Sequence, residues 1–317
     1  MRVLVLGAGG TGGYFGGRLA QSGADVTFLV RPARATQLAD DGLRIRSPLG
    51  DADLPVASVT ADVLASRVPF DLVLLSCKAY DLDSAMDAIA PAVGPGTAIL
   101  PILNGLRHYA ALDARFGAAR VLGGLCFISV AKADDGSIAH LGRPASITFG
   151  ERGGEPDSAR TRAFAALCAK AGIDHLRTPR IAQALWTKFC FLAALAAGTC
   201  LMRASVGRIV AGEGGADFMQ ALYRECLAVA AAAGEPVPGE DAAEALATLT
   251  QPGSPLTASM LRDLHAGRAV EGEHIVGDML HRARAAGLDA PLLATAWVHL
   301  QAYESRRERA ASARSAS

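Results

Sequence analysis

The chain has 317 residues, with 31 basic and 31 acidic side chains, 51% hydrophobic residues and 20% charged ones. This much apolar material excludes an intrinsically disordered protein, and the balanced charge excludes a polybasic nucleic-acid binder. The length exceeds the roughly 250 residues at which single cores stop growing, so two domains are expected.

Through residue 177, short β-type runs alternate with helical patterns, which predicts a parallel sheet with crossover helices. Strands are expected at Val3–Leu6, Asp25–Val30, Leu72–Leu75 and Ala98–Leu100, with further β-rich runs at Val121–Val130, Ser146–Phe149 and Ile173–Leu176. Helical composition covers Thr11–Gln21, Leu82–Ala92 and Ala159–Ala171. The fold class that follows is α/β: an N-terminal, Rossmann-type, doubly wound sheet over 1–177 and a C-terminal all-α domain over 178–317.

From Thr178 the β-type runs nearly vanish. Thr178-Pro179 reads as a helix start, with threonine as cap and proline at the first helical position. Phe189–Met202 is uncharged and apolar for 14 residues, short of the ~20 a membrane span needs, so it reads as a buried helix and not as a membrane segment. A second helical block, Ala216–Ala233, ends at the breaker Gly234-Glu235-Pro236-Val237-Pro238-Gly239. After Gln251-Pro252-Gly253-Ser254-Pro255 a long pattern runs from about Ser259 to Ala286, and a short basic, frayed tail is expected from Glu304 to Ser317.

Met1–Leu6 turns into glycines too early for the apolar region of a secretory signal. Six cysteines (Cys77, Cys126, Cys168, Cys190, Cys200, Cys226) lie in apolar surroundings without Cys-x-x-Cys spacing, which predicts reduced thiols, no zinc site and a cytoplasmic location. His274 and His281 share a helix face without a third ligand, so no metal is expected. Trp186 and Trp297 read as core, and Cys77 as a small buried hydrophobe.

The chemistry-bearing signal comes first in the chain. Val3–Leu6 runs into Gly7-Ala8-Gly9-Gly10-Thr11-Gly12 and then into a helix. In this strand–turn–helix context Gly7 allows the tight turn, Gly9 lets backbone approach a pyrophosphate, and Gly12 permits close helix–strand packing. The helix N-terminus offers N–H groups to phosphates. The second strand ends in Phe28-Leu29-Val30-Arg31, with Arg34 close behind. A planar cation there suits a 2′-phosphate better than a ribose hydroxyl, so NADP (NADPH) is expected over NAD; a solvated arginine at a strand end is the other reading. Asp25 opens that strand, at the wrong edge for the ribose. Lys78 and Asn104 follow the strands at Leu72–Leu75 and Ala98–Leu100, where doubly wound sheets bind ligands.

Together these residues resemble the ketopantoate reductases (2-dehydropantoate 2-reductases), and the resemblance covers nearly the whole chain. Gly7–Gly12 and Arg31 are similar to that family's NADP site, Lys78-Ala79 and Asn104-Gly105 continue it, and Leu185-Trp186-Thr187-Lys188 resembles the segment with the catalytic lysine. Ser259-Met260 followed by Glu271 has the separation of the family's substrate-contacting serine and active-site glutamate. The resemblance implies an oxidoreductase reducing a small 2-oxo acid, with Lys188 as general acid and Glu271 holding either the substrate hydroxyl or the lysine. Asn104, Lys188, Ser259 and Glu271 would meet the substrate. Without the resemblance, Lys188 could equally snorkel, Glu271 lie on a solvated face, and Ser259 cap the following helix.

The sequence departs from the family at Leu192, Ala196 and Val206, where asparagines are usual. Lys188, Leu192 and Ala196 share a helix face, so a polar wall becomes apolar and the substrate is left open. Thr199 is a stand-in if the helix continues through Gly198. The expected activity is reduction of 2-dehydropantoate to pantoate in pantothenate and coenzyme A biosynthesis. The alternatives are a paralogue acting on a more apolar 2-oxo acid and a catalytically silent NADP-binding sensor. Neither a nucleic acid nor a membrane is expected as partner, and the apolar helical domain makes a homodimer plausible.

Overall fold

The computed structural model describes residues 1–64 and 69–315. The chain divides into two compact units: Met1–Leu103 with His108–Ile181, and Asn104–Arg107 with Ala182–Ser317. In chain order the first unit runs β1 (Arg2–Leu6), α1 (Gly10–Gln21), β2 (Asp25–Leu29), α2 (Pro32–Asp41), β3 (Leu43–Arg46), β4 (Ala52–Leu54), β5 (Ala57–Val59), α3 (Ala61–Leu64), β6 (Leu72–Leu75), α4 (Leu82–Ile89) and β7 (Ala98–Pro101). It continues through α5 (His108–Phe116), β8 (Gly123–Lys132), β9 (Ile138–Gly150), α6 (Ala159–Lys170) and β10 (Asp174–Arg177).

The Rossmann-type sheet is parallel and five-stranded, in the order β5-β2-β1-β6-β7. Every residue of β6 and β7 is buried. Continuous apolar runs of this kind belong to parallel strands covered on both faces. α1 packs between this sheet and β3 through its glycines, since a Cβ on Gly16 would lie 2.8 Å from the Phe28 ring and one on Gly17 2.7 Å from Ile45 of β3, which lies outside the parallel sheet. Phe15, Leu19 and Phe28 are fully buried there.

The later β-rich runs do not extend this sheet as the alternating pattern implied. β8, β9 and β10 join β3 and β4 in a second, mixed sheet: β8 and β9 form an antiparallel hairpin, β9 pairs parallel with β10 and β3, and β3 pairs antiparallel with β4. The hairpin turns at Gly136, whose φ of +82° suits glycine. Where no helix separates two β-runs, as between Lys132 and Ile138, a parallel crossover has no room.

The second unit is helical: α7 (Ile181–Met202), α8 (Val206–Val210), α9 (Gly215–Ala232), α10 (Gly239–Leu249), α11 (Ser259–His265), a π-helical turn (Glu273–Gly277), α12 (Asp278–Ala285) and α13 (Pro291–Ser315). α7 begins three residues after Thr178, whose hydroxyl accepts from the Arg180 N–H at 3.1 Å. Among the described residues α7 is the one helix long and apolar enough to cross a membrane, yet 72% of its most apolar window is buried inside the protein. It is a core helix, with Phe189, Cys190 and Ala193 at 1% exposure or less.

Two expectations are corrected here. The pattern from Ser259 to Ala286 is broken after His265, where Gly267 takes a φ of +68°. The segment from Glu304, expected to fray, continues α13 to Ser315; 316–317 lie outside the described residues. Glu304 is held by accepting from the Val270 N–H at 2.8 Å and from Arg307 at 2.7 Å, which anchors that helix in the unit.

Candidate active site

Each unit carries its own set of polar groups. In the first, Gly7 leaves β1 with a φ of +85° and its N–H donates to the Leu29 carbonyl at 2.8 Å, which fastens the turn to β2. A Cβ on Gly12 would overlap Ser76 Oγ and lie 2.5 Å from the Gly7 carbonyl, whereas Gly9 has open space around its Cβ position. So Gly12 seals helix against strand while Gly9 leaves an approach to the backbone. Gly9 is also the N-cap of α1 and brings no side chain to its first turn, so a phosphate could take the N–H groups of Gly10, Thr11 and Gly12. Ala8 is buried beneath the loop. These features fit a dinucleotide's pyrophosphate.

Arg31 sits where β2 gives way to α2, as the N-cap before Pro32. Its guanidinium is 82% exposed and donates to Asp81 Oδ1 at 3.3 Å. Arg34 behaves differently. It folds under the glycine loop and donates to the Ala8 carbonyl at 3.0 Å and to Gln37 at 2.6 Å, while its buried Nε has no partner. Burial, then repulsion from Arg44, holds its pKa below the ordinary guanidinium range. Lys78 is half-buried and precedes the single turn Ala79–Asp81, its carbonyl accepting from the Asp81 N–H.

In the second unit Lys188 lies on α7 with 7% exposure. Its Nζ donates to Asn104 Oδ1 at 3.1 Å. Burying an ammonium costs several kcal/mol unless it is paired, so a polar partner at this spot is required for the fold itself. Asn104–Arg107 leaves β7 and is clamped onto the π-helical turn. A Cβ on Gly105, at φ +81°, would lie 2.7 Å from the His274 carbonyl, and Arg107 forms an ion pair with Glu273. Glu271, 8% exposed, stands just before that turn and its carbonyl accepts from the Ile275 N–H. Single π-turns inserted in helices recur at functional sites.

Asn104 and Lys188 are therefore brought together, and Glu271 is a buried carboxylate, not a member of a solvated face. Ser259 is an exposed residue in the first turn of α11, and the cap position belongs to Ala258, so the capping reading of Ser259 fails. Leu192 is half-buried, and Ala196 and Val206 are buried. α7 does continue through Gly198, but Thr199 Oγ1 donates to the Leu195 carbonyl at 2.6 Å and accepts from the Ala258 N–H at 3.4 Å. Its hydroxyl is spent on backbone.

Several polar residues escape sequence reasoning. The Thr187 hydroxyl and His274 Nε2 are buried without a hydrogen-bond partner. Burial, then the charge of Arg107, lowers the His274 pKa. No sequence pattern announces a π-turn, so His274 looks like an ordinary helical residue. Asp81 carries no signal either, since it belongs to a strand-end loop that only the sheet order brings to Arg31. Among the described residues no cluster of His, Cys, Asp or Glu could hold a metal, and none of the six cysteines is in a disulfide.

The sequence matches the family described as ketopantoate reductase PanE/ApbA over residues 3–154, and that family's C-terminal region over 180–304. The uncharacterized oxidoreductase YkpB of Bacillus subtilis (strain 168) is 37% identical over 307 residues, covering 97% of this chain and 100% of that protein. A 2-dehydropantoate 2-reductase of Halobacterium salinarum is 30% identical over 298 residues, covering 93% and 96%. The crystal structure of a PanE/ApbA family ketopantoate reductase from Ralstonia eutropha JMP134 superposes with a TM-score of 0.87 at 26% identity, covering 97% of this chain and 100% of that one.

Proposed function

The chain belongs to the ketopantoate reductase PanE/ApbA family of oxidoreductases, and from that premise we propose that it reduces 2-dehydropantoate to pantoate with NADPH, in the cytoplasm, as a step toward pantothenate and coenzyme A. The family uses a nicotinamide cofactor and a small-molecule substrate, and we assign NADPH and ketopantoate to these roles. The observation that carries the reading is the buried Lys188 ammonium hydrogen-bonded to Asn104. A cation kept out of water and oriented by an amide oxygen is poised to polarise a ketone and give it a proton.

In this reading Gly7, Ala8, Gly9, Gly10, Thr11 and Gly12 hold the pyrophosphate, Arg31 takes the 2′-phosphate, and Lys78 and Asn104 line the cofactor's path. When bound, the nicotinamide supplies the hydride. Lys188 donates a hydrogen bond to the keto oxygen and releases its proton as the alkoxide forms. Asn104 keeps Nζ aimed, Glu271 accepts from the substrate hydroxyl, and Ser259 donates to its carboxylate.

A second reading has its own support. Leu192, Ala196 and Val206 put carbon where the family's polar wall would stand, and the Thr199 hydroxyl is already engaged. Buried polar contacts carry discrimination, so a site without them suits a more apolar 2-oxo acid. Following NADPH oxidation with ketopantoate beside a panel of branched and aromatic 2-oxo acids tests both. Activity confined to ketopantoate supports the first reading and activity only on apolar acids the second. Nucleotide binding without turnover on any acid refutes both and leaves a silent sensor.

A further inference from the structure

The first unit contains an acidic side chain, at the end of the turn Ala79–Asp81, that its own helix does not use. Asp81 occupies the N-cap of α4, where a carboxylate ordinarily accepts an N–H from its helix's first turn. It makes no such bond. Its Oδ1 accepts from Arg31 Nη2 at 3.3 Å instead, and the carboxylate stays 40% exposed. Such a surface pair adds about 0–1 kcal/mol of stability, about what the forgone cap would contribute, so stability does not explain the choice.

The topology does. Arg31 follows β2 and Asp81 follows β6, the two strands that flank β1 in the sheet. The pair therefore bridges the carboxyl end of β1, beyond which the Gly7–Gly12 loop begins. A nucleotide whose pyrophosphate lies on that loop has its adenosine ribose on the β2 side, within reach of this pair. Arg34, another cation close by, is turned away under Ala8.

We propose that Asp81 is a specificity-determining residue for the cofactor: with Arg31 it forms a paired acid and base that accepts either form of the nicotinamide dinucleotide. The inference rests on the nucleotide site assigned above and refines which nucleotide it takes. With NADPH, Arg31 turns from Asp81 to the 2′-phosphate, which carries nearly two negative charges and is repelled by the carboxylate left nearby. With NADH, the Asp81 carboxylate accepts the free 2′-hydroxyl and Arg31 remains its counter-ion. The carboxylate thus moderates a preference that Arg31 alone would make steep.

The test is calorimetric titration of the full chain with NADPH and with NADH, for wild type, Asp81→Asn and Asp81→Glu. Asp81→Asn should tighten NADPH about threefold to tenfold, the effect of removing one partly screened charge, and weaken NADH by a similar factor. Asp81→Glu keeps the charge and should hold the ratio of the two dissociation constants within about twofold of wild type. The proposal is overturned if Asp81→Asn leaves both constants unchanged or moves them by the same factor, or if Asp81→Glu shifts the ratio as far as the asparagine does. Wild type that binds neither nucleotide would overturn the assigned site as well, which separates the two failures. Should Asp81→Asn fold poorly, Arg31→Gln reads the same pair from its other side. It should favour NADH, and an unaltered ratio there also refutes the inference.

Discussion

Replacing Gly105 with alanine would separate the geometry around Lys188 from the chemistry of Lys188 itself. The substitution adds one methyl and no charge, but it adds it at a φ of +81°, where the new Cβ would stand 2.7 Å from the backbone carbonyl of His274. An L-residue held at such an angle costs about 1–2 kcal/mol. The contact is several tenths of an ångström shorter than the roughly 3.3 Å at which a carbon and a carbonyl oxygen rest. Because the obstructing atom is backbone, either the π-helical turn or the Asn104–Arg107 segment must move. A shift of half an ångström or more carries Asn104 Oδ1 from 3.1 Å toward the limit of hydrogen bonding with Lys188 Nζ. A total cost of about 2 kcal/mol lowers the melting temperature of a chain of this length by roughly 3 °C. Misplacing the lysine's partner should reduce kcat about tenfold or more with little change in KM, because positioning errors near 1 Å cost up to about a hundredfold. Thermal melting followed by NADPH-oxidation kinetics provides both numbers. An alanine variant with wild-type melting and wild-type kcat would refute the clamp between Gly105 and His274.

Other outcomes follow from the same geometry. Lys188→Ala should lose at least about a hundredfold in kcat while retaining NADPH binding; near-normal turnover would remove the proton-donor assignment. Gly12→Ala, whose methyl would overlap Ser76 Oγ and crowd the Gly7 carbonyl, should abolish measurable nucleotide binding by calorimetry, and tight binding would contradict the close packing of α1 on β1. Burial, then Arg107, depresses the His274 pKa, so the native state binds that proton less readily than the unfolded chain. Its contribution to stability is intact above the unfolded value of about 6.5 and is lost as pH falls from there through the folded value. Arg107→Ala should raise the His274 pKa in an NMR titration, and an unchanged midpoint would show that the Arg107 charge is not felt there.

The parts of this molecule that are legible in its sequence are those where one residue type answers one local constraint. Gly7, Gly9 and Gly12 sit at a turn, an open approach and a tight helix contact, and each need is written in the identity of the residue. Lys188 follows the same logic: a lysine inside an otherwise apolar helix must find a partner or face solvent, so it stands out from its neighbours along the chain. What stays hidden depends on distant segments meeting. β3 and β4, four and three residues long, carry too little pattern to be seen, so the second sheet, which joins them to β8, β9 and β10, reads as a continuation of the first. Asp81 looks like a helix cap until the order β2-β1-β6 brings Arg31 to it. The π-turn sets the His274 carbonyl against Gly105, a residue well over a hundred positions away along the chain. Periodicity measures burial along one element, whereas the selective features of this site are set where one element's end meets another's. Asp81, which we propose tunes the cofactor preference, is therefore a residue that a single-element reading ranks as ordinary.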